Sequence, residues 1–228
     1  MLNVLDKAEA YLRDVGMLHS SGAVLYSGVE TLKSGPIYLL GLNPGGSNGA
    51  TLKDSLDNSR SGHNAYLDEE WCPGGNWRPK GEATLQRRVQ HLCRMMGKDT
   101  REVPASNLAF TQSVRIDTHN DFPAAIRASL PVHELFVEAI QPRFLMTFGS
   151  LGNFANAVTL DRIESRSAEH GTWQAHRGYA TIGGRRLSFG NVPHMSLWAS
   201  DKREHVLAWV LKSLNSTGHP TGTGNLSE

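Results

Sequence analysis

Cysteine is nearly missing from these 228 residues: Cys72 and Cys93 are the only two, and they form no Cys-x-x-Cys pair. Two isolated thiols argue against a disulfide framework, a structural zinc site and a four-cysteine iron–sulfur cluster, and they suit a reducing compartment. An excess of one charge is also lacking. With 23 Lys and Arg against 22 Asp and Glu, the net charge is +1. No global field draws the chain to nucleic acid or membrane, so any anionic partner must be met by a local patch. Nowhere is there a run of about 18 apolar residues, and Met1–Asp6 offers no basic start before an apolar core. A cytoplasmic chain, neither exported nor membrane-bound, is expected. No internal repeat or composition break marks a second domain, and the length suits one well-buried core.

What is present centres on Pro36–Ser47, Pro-Ile-Tyr-Leu-Leu-Gly-Leu-Asn-Pro-Gly-Gly-Ser. Ile37–Leu40 reads as a fully buried strand, and the Gly-Leu-Asn-Pro-Gly-Gly that follows can continue neither strand nor helix. Asn43 is thereby expected at a strand's carboxyl end, where open α/β sheets bind ligands. The plainer alternative is a tight turn whose Asn bonds its own backbone.

Around this stretch the spacing predicts a packing helix over residues 2–15, ending before Gly16. Gly22–Leu32 fits either a short strand or a helix. Ser47–Lys80 reads as a long polar loop carrying Tyr66, Trp71 and Trp77, of the kind that is functional or mobile. Glu82–Met96 is an amphipathic helix with Arg87, Arg88 and Arg94 off its apolar side. Val103–Phe110 is a second strand carrying Asn107. Phe122–Ile140 is helical, with a break or kink expected at Pro131. Arg143–Phe148 is a third strand, and Leu151–Val158 opens a helix. Arg177–Ile182 and Arg185–Phe189 form a hairpin about Gly183-Gly184. A loop bearing His194 then leads into a last helix ending at Leu214, and residues 215–228 read as disordered. Strand–helix alternation implies a single-domain, three-layer α/β/α sandwich over residues 1–214, around a central, mostly parallel sheet of four or five strands.

Leu-Leu-Gly-Leu-Asn-Pro-Gly, a strand with Asn107, Pro142–Gly149 and a late Pro-His-Met-Ser before the last helix stand in an order that resembles the uracil-DNA glycosylase superfamily. The likeness covers roughly residues 36–213. The first motif is most similar to the branch acting on mismatched uracil and thymine. The spacing, including Trp77-Arg78-Pro79-Lys80-Gly81 before a helix, is closer to the iron–sulfur branch, but the cluster cysteines are missing. The resemblance implies a flipped base and hydrolysis of its N-glycosidic bond, without metal or cofactor. Asn43 would orient the attacking water, and His194 would donate to the departing base as negative charge grows on it. Asn107 would read the pairing edge. Gly41, Leu42, Pro44 and Gly45 would line the base, with Trp77 stacked on it and Tyr66 or Trp71 as rivals. Ser47, Lys80, Arg185, Arg186, Ser196 and Lys202 are candidate DNA contacts, with Arg78 and Arg203 beside them, and Leu197 or Trp198 is the candidate wedge. Each has a plainer reading: a structural histidine, a core tryptophan, a solvated charged face.

In uracil-restricted relatives a bulky Tyr follows the motif's proline and excludes groups at pyrimidine C5. Gly45 stands there in this chain, so a mismatched or 5-substituted pyrimidine is expected, extending to the hydroxymethylated or sugar-decorated cytosine of some phage genomes. The expected product is an abasic site without strand cleavage, since no Lys lies in the matched motifs, and a monomer acting on DNA is expected. Three alternatives stand beside this: a uracil-specific repair enzyme, a catalytically weak damage-binding member, and an unrelated hydrolase or nucleotide-binding protein. The last lacks both Gly-x-x-x-x-Gly-Lys-Ser/Thr and Gly-x-Ser-x-Gly.

Overall fold

The five residues Ile37–Gly41 carry no charge, and all five are buried as strand β1. A computed structural model of the chain describes residues 3–46 and 49–215. A strand this apolar needs cover on both faces. It has it: β1 pairs in parallel with β2 (Ala105–Asn107) on one side and β3 (Phe144–Phe148) on the other, and β3 pairs in parallel with β6 (Arg185–Val192). Two antiparallel strands, β5 (Gln174–Ile182) and β4 (Thr159–Ser167), complete a six-stranded sheet in the order β2-β1-β3-β6-β5-β4.

Alternation along the strands divides the core. Ile37, Leu39, Phe144, Met146, Phe148 and Val192 pack with helices α4 (Thr84–Met95) and α7 (Glu204–Asn215). Tyr38, Leu40, Leu145, Leu187 and Phe189 pack with α1 (Val4–Asp14) and α5 (Phe122–Ile140) on the other face. The expected α/β/α sandwich with a mostly parallel sheet is therefore present, with six strands instead of four or five. The strand that the sequence concealed is β4. It is an edge strand carrying Asp161, Arg162, Glu164 and Arg166, most of it exposed, and its register shifts between Asp161 and Glu164. Charge and a bulge are what keep such an edge from pairing further, and they erase its hydrophobic pattern.

The polar stretch beyond Ser47 is not the long loop its composition predicts. It holds α2 (Leu52–Arg60) and α3 (Ala65–Asp68). Thr51 and Asp54 form a reciprocal capping box that starts α2, whose Leu52 and Leu56 are buried. Helix α5 runs through Pro131 without a break. Val103–Phe110 contributes only three residues of regular strand, while Leu108 and Ala109 still donate to the carbonyls of Gly41 and Leu42. Gly183 and Gly184, at φ 55° and 71°, make the two-residue hairpin turn. Helix α6 is short (Leu151–Ala155). Of the tail expected at residues 215–228, all beyond Asn215 lies outside the described residues.

Under β1 lies a buried polar chain. His133 Nε2 faces the Leu108 carbonyl at 3.2 Å, which can only accept, so Nε2 carries the proton and Nδ1 accepts from the Tyr38 hydroxyl at 2.8 Å. Burial pushes the His133 pKa from its ordinary 6.5 down to about 4. Its folded pKa lies below its unfolded one, so its contribution is complete above pH 6.5 and is lost as pH falls toward about 4. Stability should fall by about 3 kcal/mol across that window. Urea midpoints at several pH values should slope accordingly, and the slope should flatten in His133→Gln.

The chain leaves β1 for β2 through α4 on one face and returns to β3 through α5 on the other. Strand order thus reverses at β1, and ligands in open α/β sheets bind outside the carboxyl ends at such a point.

Candidate active site

Because β1, β2, β3 and β6 are parallel, their carboxyl ends share one edge. Gly41 stands opposite Asn107, and Phe148 opposite Val192. Asn43 follows β1 by two residues and His194 follows β6 by two, so the three polar groups singled out in the sequence come to the same edge. Between them lies a wall built on a missing side chain. A Cβ on Gly41 would collide with Asn107 Oδ1 and come within 3.0 Å of the Phe148 ring, so the amide and the ring close over this glycine. The Phe148 ring meets the His194 ring edge-on, centroids 5.6 Å apart.

On the other side of Asn107 its amide is a hydrogen-bonding neighbour of the Tyr26 hydroxyl. Burial, and secondarily the Glu69 carboxylate, raise the Tyr26 pKa, so the phenol keeps its proton. Tyr26 stacks on Tyr66 at 5.5 Å, and both meet Trp71 near edge-on, at 6.4 and 5.9 Å. Trp71 Nε1 donates to Glu69 Oε2 at 2.6 Å, and His63 Nε2 lies 3.1 Å from Glu69 Oε1. An Asn107 edge beside an aromatic cluster and the Phe148 ring is suited to a planar heterocycle that offers donors and acceptors on one edge.

The Asn43 amide is held in one orientation. Its Nδ2 donates to the Pro44 carbonyl at 2.9 Å, the Ser113 carbonyl at 3.2 Å and Ser113 Oγ at 3.0 Å. Carbonyl oxygens only accept, so the NH₂ end must face them and Oδ1 is the free-facing acceptor. The Ser113 N–H in turn donates to Pro44, which locks the loop across this site. An oxygen fixed this way orients a water by accepting its proton's hydrogen bond, and it cannot take the proton as a base.

His194 is fixed in the complementary sense. The Ser196 backbone N–H donates to its Nδ1 at 3.3 Å, with Ser196 Oγ 2.7 Å away. Nδ1 is therefore the acceptor, and in the neutral ring Nε2 carries the hydrogen. Burial lowers the His194 pKa, which keeps the ring neutral at neutral pH. The same edge thus carries a neutral N–H donor and an oriented amide oxygen.

Helix α4 holds both walls. Gln86 donates to the carbonyls of Ala65 and Glu69, and Gln90 to those of Tyr66 and Gly81, which pins the aromatic segment. Arg88 Nη1 donates to the Met195 carbonyl at 2.6 Å and the Ser196 carbonyl at 3.2 Å, which pins the His194 loop. Met195 and Trp198 anchor the same loop from beneath, buried in the core. Arg88→Ala should free the His194 loop and lower stability by about 1–3 kcal/mol, since the Met195 and Ser196 carbonyls lose a charged donor. Arg88→Lys, able to reach one carbonyl, should recover part of it. Urea midpoints of the two variants check this.

Several sequence expectations need correcting here. Trp198 is fully buried and donates Nε1 to the Ala168 carbonyl at 2.8 Å, so it is no wedge; Leu197, 66% exposed, is the one that projects. Arg185 and Arg186 open β6 at the opposite end of the sheet from His194. Arg185 donates to the carbonyls of Pro142 and Gln141, while Arg186 pairs with Asp161 and lies over Tyr179, so neither faces this edge. Leu42 is buried where a Gly149 side chain would stand, and Pro44 is buried as well. Trp77 is 71% exposed and outside the aromatic cluster; Tyr66 and Trp71 are in it. Gly45 is exposed, and among the described residues nothing lies within 4 Å of an added Cβ. Ser196 serves His194, and Lys80 and Lys202 are exposed. Ser47 lies outside the described residues.

Tyr26, Phe148, Ser113 and Arg88 are the site residues that sequence reasoning missed. Tyr26 sits in the segment that fitted either strand or helix, and its N–H donates to Ala105 of β2 at 2.8 Å. Phe148 read as the last core residue of a strand. Nothing in the sequence flags Ser113 or singles out Arg88 among the arginines of its helix.

Cys93 is buried, its thiol pushed up to about 12 by burial, whereas Cys72 is exposed. Among the described residues no group of three or more His, Cys, Asp or Glu is arranged to hold a metal ion, and no helix is long and apolar enough to cross a membrane. No protein-family model and no curated protein matches this chain, so its reading rests on the motif order and on the geometry of this edge.

Proposed function

We propose that this chain is a monofunctional DNA glycosylase that takes a mismatched or 5-substituted pyrimidine out of the helix and hydrolyses its N-glycosidic bond. The observation that carries the reading is the pair of fixed polar groups at one sheet edge: the Asn43 amide, whose Nδ2 is tied to Ser113 so that Oδ1 is left to accept, and His194, whose Nδ1 accepts from the Ser196 N–H so that Nε2 carries the hydrogen. Water held by Asn43 attacks C1′ of an oxocarbenium-like sugar. The N–C1′ bond breaks, its electron pair leaves with the base, and His194 hydrogen-bonds the pyrimidine O2 as charge collects there. The water's second proton passes to solvent or the departing base, leaving a hydroxyl at C1′. Asn107 reads the pairing edge, beside Phe148 and the Tyr26–Tyr66–Trp71 cluster. Leu197 fills the vacated stack, with Lys80 and Lys202 on phosphates. The protein needs no cofactor, acts as a monomer and works in the cytoplasm.

The open space at Gly45 supports a substituent at C5, including the hydroxymethyl or glucosylated hydroxymethyl group of phage cytosine, which would make the role antiviral defence. The test is a panel of DNAs carrying uracil, mismatched thymine, 5-hydroxymethylcytosine and glucosylated hydroxymethylcytosine, scored as alkali-labile sites. Release of 5-substituted bases, abolished in Asn43→Ala and His194→Ala, is the expected result. Release confined to uracil overturns the substrate class and leaves a uracil-repair enzyme. No release, with tight binding to abasic DNA, leaves a damage-binding protein.

A further inference from the structure

Trp77 stands on an exposed finger that the chemistry proposed at this sheet edge does not use. Its root is the antiparallel bridge between Trp71 and Arg78, closed by the Arg78 N–H to the Trp71 carbonyl at 2.7 Å. Gly81 N–H donates to the Glu69 carbonyl behind it, and Gln86 donates to the same carbonyl. The tip is a turn at Pro73–Gly75, where Gly74 and Gly75 take φ of 60° and 82° and an added Cβ would meet nothing within 4 Å. All of residues 72–80 are exposed. The finger therefore has a fixed root and an exposed tip.

What the tip carries is selective. Trp77 is 71% exposed, so its ring face is open to stack on a planar group. Arg78 and Lys80 follow it by one and three positions. The nearest carboxylates in sequence are Glu70 and Glu82, so the stretch between them bears positive charge only. An aromatic ring with two cations next to it in the chain fits a single strand of nucleic acid, whose bases offer faces for stacking and whose phosphates lie one step away. Position decides which base. The root residue Trp71 belongs to the cluster that touches Asn107 through Tyr26, and that cluster supplies rings of its own beside Asn107, which leaves Trp77 for a neighbouring base.

We infer that Trp77 stacks on the unpaired base next to the flipped nucleotide, with Arg78 and Lys80 on the adjoining phosphates. This rests on the glycosylase reading for the identity of the pocket, but binding alone can test it. The probe is a single strand containing a tetrahydrofuran abasic analogue with 2-aminopurine as its neighbour. Binding of the wild type should change the 2-aminopurine emission. In Trp77→Ala that change should vanish and affinity fall about 5- to 100-fold, while Trp77→Phe should retain most of both. Arg78→Gln and Lys80→Gln should each reduce the slope of log affinity against log salt by about one. An unchanged affinity and emission response in Trp77→Ala overturns the inference. So does a Trp77→Ala protein that binds this probe normally yet no longer releases bases, since the ring would then belong to the flipped base. Trp77-dependent binding without base release from any DNA would sustain the finger while removing the glycosylase reading.

Discussion

Replacing His194 by alanine is expected to lower base release about 100- to 1,000-fold, the range found when one donor aimed at a developing anion is removed. The size follows from the arrangement. His194 is neutral, its Nε2–H is fixed by the Ser196 N–H on the other ring nitrogen, and its ring lies against Phe148 in a partly water-excluded edge. A preorganised donor there does not have to reorganise as charge builds. The backbone anchor survives in Ser196→Ala, which removes only the hydroxyl 2.7 Å from Nδ1, so that variant should lose only a few-fold. Single-turnover release rates measure both, and affinity for abasic DNA should be nearly unchanged in each. Equal losses in the two variants would mean that Ser196, not the imidazole, makes the contact that matters.

Gly41→Ala should be as damaging, although it adds one methyl group. The new Cβ would overlap Asn107 Oδ1 and press on the Phe148 ring, which in turn contacts His194. Asn107 is buried on a short tether and cannot swing clear, so the group that reads the base and the ring beside it must both shift. Release should fall at least about 100-fold, as for other small misplacements of a reading group, and stability should drop by about 1–3 kcal/mol from overpacking. The double variant Gly41→Ala/Asn107→Ala removes the overlap with Asn107 and leaves the contact with the Phe148 ring. It should recover part of the stability in a urea titration and recover no activity. A Gly41→Ala protein as active as the wild type would remove Asn107 and Phe148 from the site.

Much of the architecture was legible because it is written in burial. Ile37–Leu40 and Phe144–Phe148 are uninterrupted apolar runs, which only a doubly covered strand can use, and Gly183-Gly184 names its own turn. The parallel order then fixed where Asn43, Asn107 and His194 must meet. Edge strand β4 was hidden because its charges and bulge serve to keep it unpaired, and α2 because a capping box and two leucines are little signal within a polar stretch. At the site, orientation was the illegible part. That Asn43 points its oxygen outward depends on Ser113, seventy positions away, and that the His194 loop is pinned depends on Arg88, more than one hundred positions away. Long-range hydrogen bonds leave no local periodicity. Trp77 and Trp198 show the same limit in reverse: composition marks a tryptophan as notable, and only packing tells which one is buried beneath the loop and which one stands in solvent.

The most direct measurement is the stoichiometry of the cleaved products. DNA carrying a 5-substituted cytosine or a mismatched thymine, incubated with the protein, should yield free base by mass spectrometry and an aldehyde trapped by an alkoxyamine in one-to-one ratio, with the strand intact and both products lost in Asn43→Ala and His194→Ala. No free base from any of these DNAs or from uracil-containing DNA, or release that persists in both variants, would contradict the assignment of this sheet edge as the site of N-glycosidic hydrolysis.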